Sequence, residues 1–294
     1  MRGRIAMALG VLAIGACGTG AGGGDAGRAD AVDLPIPPGC NGAAALCDRR
    51  FDEVAYPTTH NAMSNEAEGW VNPNQYHGLS RQLEDGVRGL MLDVHPYEGD
   101  VYLCHGVCQL GSQLLVDGLS EIRAFLDLHR GEVVTIIFES YVGAAEMAAA
   151  FEASGAIGYV HAQAAGETWP ALGALIAANR RLVVVTDAAE GGAHPWYMDV
   201  WAHAWETHYA AREIGDFSCD RNRGSAGNPL FIFNHFLTRT RPVPEEADVV
   251  NANPLLIDRA RECMTLSGSL PNFVTVDFYS VGDLFAAVDA LNGI

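Results

Sequence analysis

The sequence predicts an α/β fold, a (β/α)8 TIM-like barrel with room for irregularity, and three observations carry that expectation. From residue 51 onward, short β-rich apolar runs alternate with helix-like stretches, which implies a parallel sheet with helices outside it. About eight such runs fall within roughly 250 residues, the usual size of such a barrel, with no Pro/Gly/Ser linker between them. No Gly-rich phosphate loop follows the first run, which counts against a doubly wound open sheet, the alternative α/β arrangement.

In order along the chain, the expected strands are Glu53–Tyr56, Gly89–Val94, Val101–Leu103, Val133–Phe138, Leu182–Thr186, Val200–Trp205, Leu230–Asn234 and Phe273–Phe278. Amphipathic segments at Leu79–Glu84, Leu115–His129, Ala144–Ala153, Ala171–Ala178, Pro254–Leu266 and Asp283–Leu291 are the expected helices. Polar residues gather where the strands end: His60, Asp93, Glu139, Asp187, Asn234 with His235, and Asp277. In a barrel the strand C-termini form one rim, and active sites of this fold lie there. Because side chains alternate along a strand, Met91, Asp93 and His95 share one face and Arg88 lies on the other, bracing the barrel from outside.

The front of the chain reads as an export signal, residues 1–17: Arg2 and Arg4, an apolar run from Ile5 to Ile14, then Gly15-Ala16-Cys17. The apolar run is too short for a permanent membrane span. Ile14-Gly15-Ala16-Cys17 is similar to a bacterial lipobox, which makes Cys17 a candidate acylation site; an ordinary signal peptide cut a few residues later is the alternative. Residues 18–39, rich in Gly, Ala and Asp and closing on Pro, form a tether too polar to build a core. The folded domain is expected over 40–294. The chain is therefore expected to be exported, as a lipoprotein anchored at the cell envelope or otherwise secreted.

Of the seven cysteines, six remain once Cys17 is set aside. An even number in an exported chain suggests disulfides. Counting leaves the connectivity open, but two pairs lie close in sequence, which favours Cys40–Cys47, Cys104–Cys108 and, by remainder, Cys219–Cys263. No pair has a partner pair at zinc-finger spacing. The formal charge is −18, from 36 acidic and 18 basic residues, all of the latter arginine. Such a surface repels nucleic acid and offers no polybasic patch for anionic lipid. A lipid substrate would then be reached through the anchor or through local apolar loops.

Four ordered pieces sharpen the function: Thr59-His60-Asn61-Ala62, the run Gly86 to His95 (Gly-Val-Arg-Gly-Leu-Met-Leu-Asp-Val-His), Leu103-Cys104-His105-Gly106, and Val134 to Glu139 (Val-Thr-Ile-Ile-Phe-Glu). Together they resemble the X-domain of phosphatidylinositol-specific phospholipase C, in the branch of phospholipase C-like phosphodiesterases found in bacteria, fungi and plants. The resemblance covers about residues 40–294, through Asn-Phe-Val-Thr-Val-Asp-Phe-Tyr at 272–279.

That resemblance implies a phosphoric diester hydrolase with His60 as general base and His105 as general acid. For an inositol lipid the attacker would be a neighbouring ring hydroxyl, giving a cyclic phosphodiester and diacylglycerol. In calcium-dependent relatives an Asn, two acids on the second strand and a Glu hold the ion; Asn61, Asp93 and Glu139 match, while Met91 falls where a further carboxylate is expected. A thioether does not suit a hard cation, so water or substrate oxygen would complete the six to eight ligands Ca²⁺ prefers. Metal-independent bacterial enzymes place an Arg where Asp93 stands. Asp277 matches a carboxylate that pairs with the base histidine. For the substrate, Arg221 and Arg223 are the expected phosphate contacts, Trp205, Glu206, Asn234 and His235 the expected lining of the headgroup pocket, and His95 an extra metal ligand or an added phosphate contact. A Cys104–Cys108 bridge would hold the acid histidine still.

Two other functions compete. A sphingomyelinase D or glycerophosphodiesterase on a related barrel usually shows Glu-x-Asp on the second strand, which Met91 breaks. Glycerophosphodiesterases also begin His-Arg-Gly, where this chain has His60-Asn61-Ala62. A non-catalytic surface protein binding glycans or inositol phosphates would suit Met91 and the scarcity of cations, but not two intact histidines.

Overall fold

The computed structural model describes residues 39–188 and 190–294. The expected signal segment, Cys17 and nearly all of the tether lie outside the described residues. Among the described residues twelve strands form one curled sheet: β1 (Tyr56–Thr59), β2 (Gly89–Tyr97), β3 (Asp100–Leu103), β4 (Gln113–Leu114), β5 (Val134–Ser140), β6 (Val160–His161), β7 (Leu182–Thr186), β8 (Tyr197–Asp199), β9 (Ala204–Thr207), β10 (Arg221–Gly224), β11 (Leu230–Asn234) and β12 (Phe273–Val276). The helices are α1 (Leu79–Glu84), α2 (Leu115–Leu128), α3 (Ala144–Ser154), α4 (Leu172–Ala177), α5 (Val200–His203), α6 (Pro244–Val250), α7 (Leu255–Ser267) and α8 (Leu284–Asn292).

The parallel order runs β9-β11-β12-β1-β2-β5-β7. On the far edge of β7, β6 pairs with Leu182–Val183 and β8 with Val184–Thr186, so the two short strands share one position. That makes eight positions around the curl. Among the described residues no ladder joins β8 to β9, and this is the irregularity: a TIM-like barrel left open along one seam.

The seam follows from a local choice. The run Val200–Trp205, expected as one strand, is split because Asp199 Oδ1 accepts the Trp201 N–H at 2.9 Å and caps a single helical turn, α5. The first strand is also displaced, to Tyr56–Thr59 instead of Glu53–Tyr56. Phe51–Glu53 forms a 3-10 turn whose Glu53 carboxylate takes the Arg50 N–H at 3.0 Å.

Alternation sorts the sheet into two faces. Inside, Tyr56, Phe273, Ile137, Val183, Val185, Leu230 and Ile232 form one apolar cluster, plugged by Phe51 and Trp169, whose rings lie 4.7 Å apart. Outside, Leu90, Leu92, Val94, Ile136, Phe138, Val184, Phe231, Phe233, Val274 and Val276 pack under the helices. Each buried side chain of this size contributes about 1.5–3 kcal/mol, so the apolar residues fix the parity of every strand. The polar strand-end residues that share the inner parity are thereby carried to one rim.

The structure forms Cys40–Cys47, Cys104–Cys108 and Cys219–Cys263. The last spans 44 residues and ties the approach to β10 onto α7, so it removes the most unfolded-chain freedom of the three.

Candidate active site

β1, β2 and β12 build one half of the site. The backbone N–H of His60 continues the β1 ladder by donating to Val276 O at 3.0 Å. Asn61 then takes a left-handed turn (φ 45°), which an Asn side chain tolerates, and leads the chain away. Gln75 holds this corner by donating to His60 O at 2.8 Å and Val276 O at 3.2 Å. His60 Nδ1 lies 2.9 Å from Asp277 Oδ1, and its ring stacks on Phe236 at 3.8 Å. Asp277 also accepts from Asn74 Nδ2 at 3.0 Å. With Nδ1–H donated to the carboxylate, Nε2 is the nitrogen that can receive a proton.

His105 arrives from the loop after β3, with Cys104 N–H bonded to Asp93 O on one side and Cys108 bridged to Cys104. Asn61 Nδ2 lies 3.3 Å from His105 Nε2, 3.5 Å from its Nδ1 and 3.3 Å from Asn74 Oδ1. A continuous polar chain therefore runs from His60 through Asp277, Asn74 and Asn61 to His105. Both histidines line a single cavity of about 510 Å³. Desolvation, followed by the nearby His60, pushes the His105 imidazole below the ordinary histidine value. His95 lines the same wall, stacked on Tyr141 at 4.2 Å, and its Nε2 is buried with no hydrogen-bond partner among the described residues.

The other half is acidic. Asp93, Glu139 and Asp187 follow one another across β2, β5 and the end of β7, with Asp93 opposite Glu139 in the ladder. Asp187 Oδ1 accepts the Ser140 N–H at 3.1 Å, and Glu139 accepts the Tyr141 hydroxyl. Asp93 is 7% exposed, and among the described residues its carboxylate has no hydrogen-bond partner. Burial, then Glu139 and Asp187, push its pKa well up. An adjoining chamber of about 250 Å³ continues past these acids to Trp201, Glu206, Tyr209, Arg223 and Asn234. Glu206, 1% exposed, accepts from Arg223 Nε at 2.6 Å, Asn222 Nδ2 at 2.8 Å and Asn234 Nδ2 at 3.0 Å. The Arg223 guanidinium lies over Trp201 at 4.4 Å and Tyr209 at 5.0 Å.

The donor chemistry fits a hard cation: a buried carboxylate with no partner, two further carboxylates and the Asn61 amide. Met91 lines the chamber and adds no oxygen. Among the described residues no three His, Cys, Asp or Glu side chains converge closely enough to chelate an ion by themselves. Such an ion would need Asn61, water or substrate oxygen as well.

Three expected contacts lie elsewhere. Trp205 is on the outer face, stacked on Phe231 at 3.8 Å, because α5 shifts the parity of the run it belongs to; Trp201 takes the chamber position. His235 is fully buried on the outer face, where Nε2–H donates to Val250 O at 2.8 Å and Nδ1 faces Arg259 at 3.0 Å. It follows inward-facing Asn234, so alternation turns it outward, and burial beside Arg259 lowers its pKa to about 3. Arg221 is solvent-exposed and lines neither cavity, because the β10–β9 register shifts between Arg221 and Gly224 and the two arginines no longer share a face. Asn74, Phe236, Trp201 and Tyr209 line the site without having been singled out in the sequence. Phe236 was reachable by stepping two residues on from Asn234, whereas Asn74 sits in a loop with no periodicity.

A family model described as PI-PLC X matches residues 46–292. A PI-PLC X domain-containing protein of Arabidopsis thaliana is 30% identical over 269 residues, covering 83% of this chain and 62% of the relative. An uncharacterized secreted protein of Arthroderma benhamiae is 27% identical, covering 85% of this chain and 62% of the relative. Another protein of that fungus, PI-PLC X domain-containing protein 1, is 29% identical over 87% of this chain and 90% of its own length. The chain thus spans about three-fifths of the first two relatives. Among solved structures, the phosphatidylinositol-specific phospholipase C of Listeria monocytogenes superposes with a TM-score of 0.55 at 13% identity, covering 84% of this chain and 94% of that one. The Staphylococcus aureus enzyme gives 0.56 at 12%, over 85% and 95%. At that identity the likeness is one of fold.

Proposed function

This chain belongs to the PI-PLC X domain family, and from that premise we propose that it cleaves a phospholipid-type phosphodiester by paired histidine acid–base catalysis. The observation that carries the reading is the His60–Asp277 pair at 2.9 Å, facing into the same cavity as His105. Asp277 fixes the tautomer, so His60 Nε2 removes the proton from the attacking hydroxyl. The hydroxyl oxygen bonds to phosphorus as the bond from phosphorus to the glyceride oxygen breaks, and protonated His105 gives that oxygen its proton. With an inositol headgroup the attacker is the ring's own neighbouring hydroxyl, and the products are a cyclic phosphodiester and diacylglycerol. Each proton transfer is worth roughly 10²–10⁴ in rate.

Electrostatics add a requirement. A phosphodiester anion would meet Asp93, Glu139, Asp187 and Glu206, against which the chamber sets Arg223, already paired with Glu206. Neutralisation by a divalent cation, Ca²⁺ by its oxygen donors, is therefore part of the proposal, with Asn61, Asp93 and Glu139 as the residues that would hold it. Bound there, it would offset the charge of the phosphate oxygens. Export, with acylation at Cys17, belongs to the same reading. It is supported by three disulfides, which persist in oxidising compartments.

The test is turnover of phosphatidylinositol, phosphatidylcholine, sphingomyelin and glycerophosphodiesters, with Ca²⁺ and with chelator, by wild type and His60→Ala. One lipid should be cleaved to diacylglycerol or ceramide, His60→Ala should lose roughly 10²–10⁴-fold, and chelator should suppress the reaction. No turnover of any substrate in either condition would overturn the reading.

A further inference from the structure

We propose that Asn74 is a positioning residue that sets both imidazoles at once, holding the Asp277 carboxylate against His60 and the Asn61 amide against His105. It comes from the irregular loop between β1 and α1, and it is only 2% exposed. Each of its four polar groups has a partner. The backbone N–H donates to Ser64 O at 3.0 Å, and the carbonyl accepts the Phe278 N–H at 2.8 Å. In the side chain, Nδ2 donates to Asp277 Oδ1 at 3.0 Å and Oδ1 accepts from Asn61 Nδ2 at 3.3 Å.

Two of these bonds hold unusual backbone. Asn61 and Phe278 directly follow His60 and Asp277, and both take left-handed conformations, with φ of 45° and 46°. An Asn tolerates this region, whereas a bulky Phe persists there only if its surroundings hold it. Asn74 O fastens the Phe278 N–H, and Asn251 Nδ2 fastens Asp277 O at 2.8 Å. The chain therefore turns off β12 just where Asp277 has been delivered to His60 Nδ1, at 2.9 Å. One loop residue thus grips the corner after each member of that pair.

Donors and acceptors then leave a single arrangement of the amides. A carboxylate only accepts, so Asn74 must turn its NH2 toward Asp277 and its oxygen toward Asn61. Asn61 must in turn offer Asn74 an N–H, and the same nitrogen lies 3.3 Å from His105 Nε2 and 3.5 Å from Nδ1. Reversing the Asn61 amide would set its oxygen against that of Asn74. Asp277 thereby decides, through Asn74, which end of Asn61 meets His105. An Asp at position 74 would keep the acceptor and lose the donor, and a Leu would keep neither. The step from this geometry to rate rests on the paired-histidine reading; the geometry itself does not.

The test is nitrogen NMR of the histidine rings in the full chain, in chelator and above the histidine titration range, with turnover measured beside it. His60→Gln and His105→Gln assign the two signals. Asn74→Leu should shift both rings while His235, on the outer face, stays in place. Asn74→Asp should shift His60 alone. Asn61→Gly, which suits the left-handed corner, should shift His105 alone, so a failure of Asn74→Leu to fold leaves two variants that decide. On a phosphodiester cleaved by wild type, Asn74→Leu should lower kcat roughly 10–100-fold with KM nearly unchanged. If wild type cleaves none, the catalytic reading fails and the ring signals alone decide the positioning. The proposal is overturned if Asn74→Leu leaves both rings in place, if His235 shifts with them, if Asn74→Asp and Asn61→Gly act on the same ring, or if kcat of Asn74→Leu keeps its wild-type value.

Discussion

His60 and His235 both follow the last residue of a barrel strand by one position, yet they occupy opposite worlds. β1 delivers His60 inward, where Asp277 orients it and a cavity faces it. β11 delivers Asn234 inward and so turns His235 outward, into a dry contact between Val250 O and Arg259. Residue type and strand-end position are the same; one step of alternation separates a candidate base from a structural strut.

The largest expected effect breaks that comparison directly. His60→Ala should cost roughly 10²–10⁴ in kcat/KM while leaving the urea midpoint nearly unchanged, since Asp277 keeps its bond from Asn74. His235→Ala should do the reverse. It opens a buried gap and strands Val250 O, costing about 1–3 kcal/mol with catalysis retained in the folded fraction. If His235→Ala abolished activity in fully folded protein, the division of roles would be wrong.

The second effect is on pH and stability. His235 titrates near 6.5 when unfolded and at about 3 when folded, because burial and then Arg259 disfavour a second positive charge. Between those values the unfolded chain binds the extra proton, so stability is fully present above about pH 6.5 and falls as pH drops toward about 3. Urea titrations across that window should show a shallower loss for His235→Gln than for wild type. Equal slopes would remove His235 as the cause.

A smaller effect concerns the other histidine. Replacing Cys104 and Cys108 together by Ser opens a link of only four residues, so little unfolded-chain entropy is released and Tm should move by a few degrees at most. His105 sits inside that loop, and activity should fall several-fold. A proportionate loss of both would mean that the bridge merely stabilises.

The same alternation explains what could be read from the residues alone. Continuous apolar runs at β5, β7 and β11 announced buried parallel strands, and stepping by two from their inner residues leads to Glu139, Asp187 and Asn234. The reading failed where alternation is interrupted. α5 hides inside Val200–Trp205 and exchanges Trp205 for Trp201, and the register shift in β10 separates Arg221 from Arg223. His235 departs from expectation for a simpler reason: it adjoins Asn234, and neighbours on a strand face opposite ways. Asn74 comes from a loop ordered only by long-range hydrogen bonds, which no local pattern records.

The central claim is that His60 and His105 do different jobs on one phosphorus, and a change of leaving group tests it most directly. On a phosphodiester with an alkyl leaving group, His60→Ala and His105→Ala should each lose roughly 10²–10⁴-fold. On the corresponding nitrophenyl ester, whose leaving oxygen needs no proton, His105→Ala should recover most of its rate while His60→Ala stays impaired. Equal impairment of both variants on both esters would contradict the assignment of base and acid.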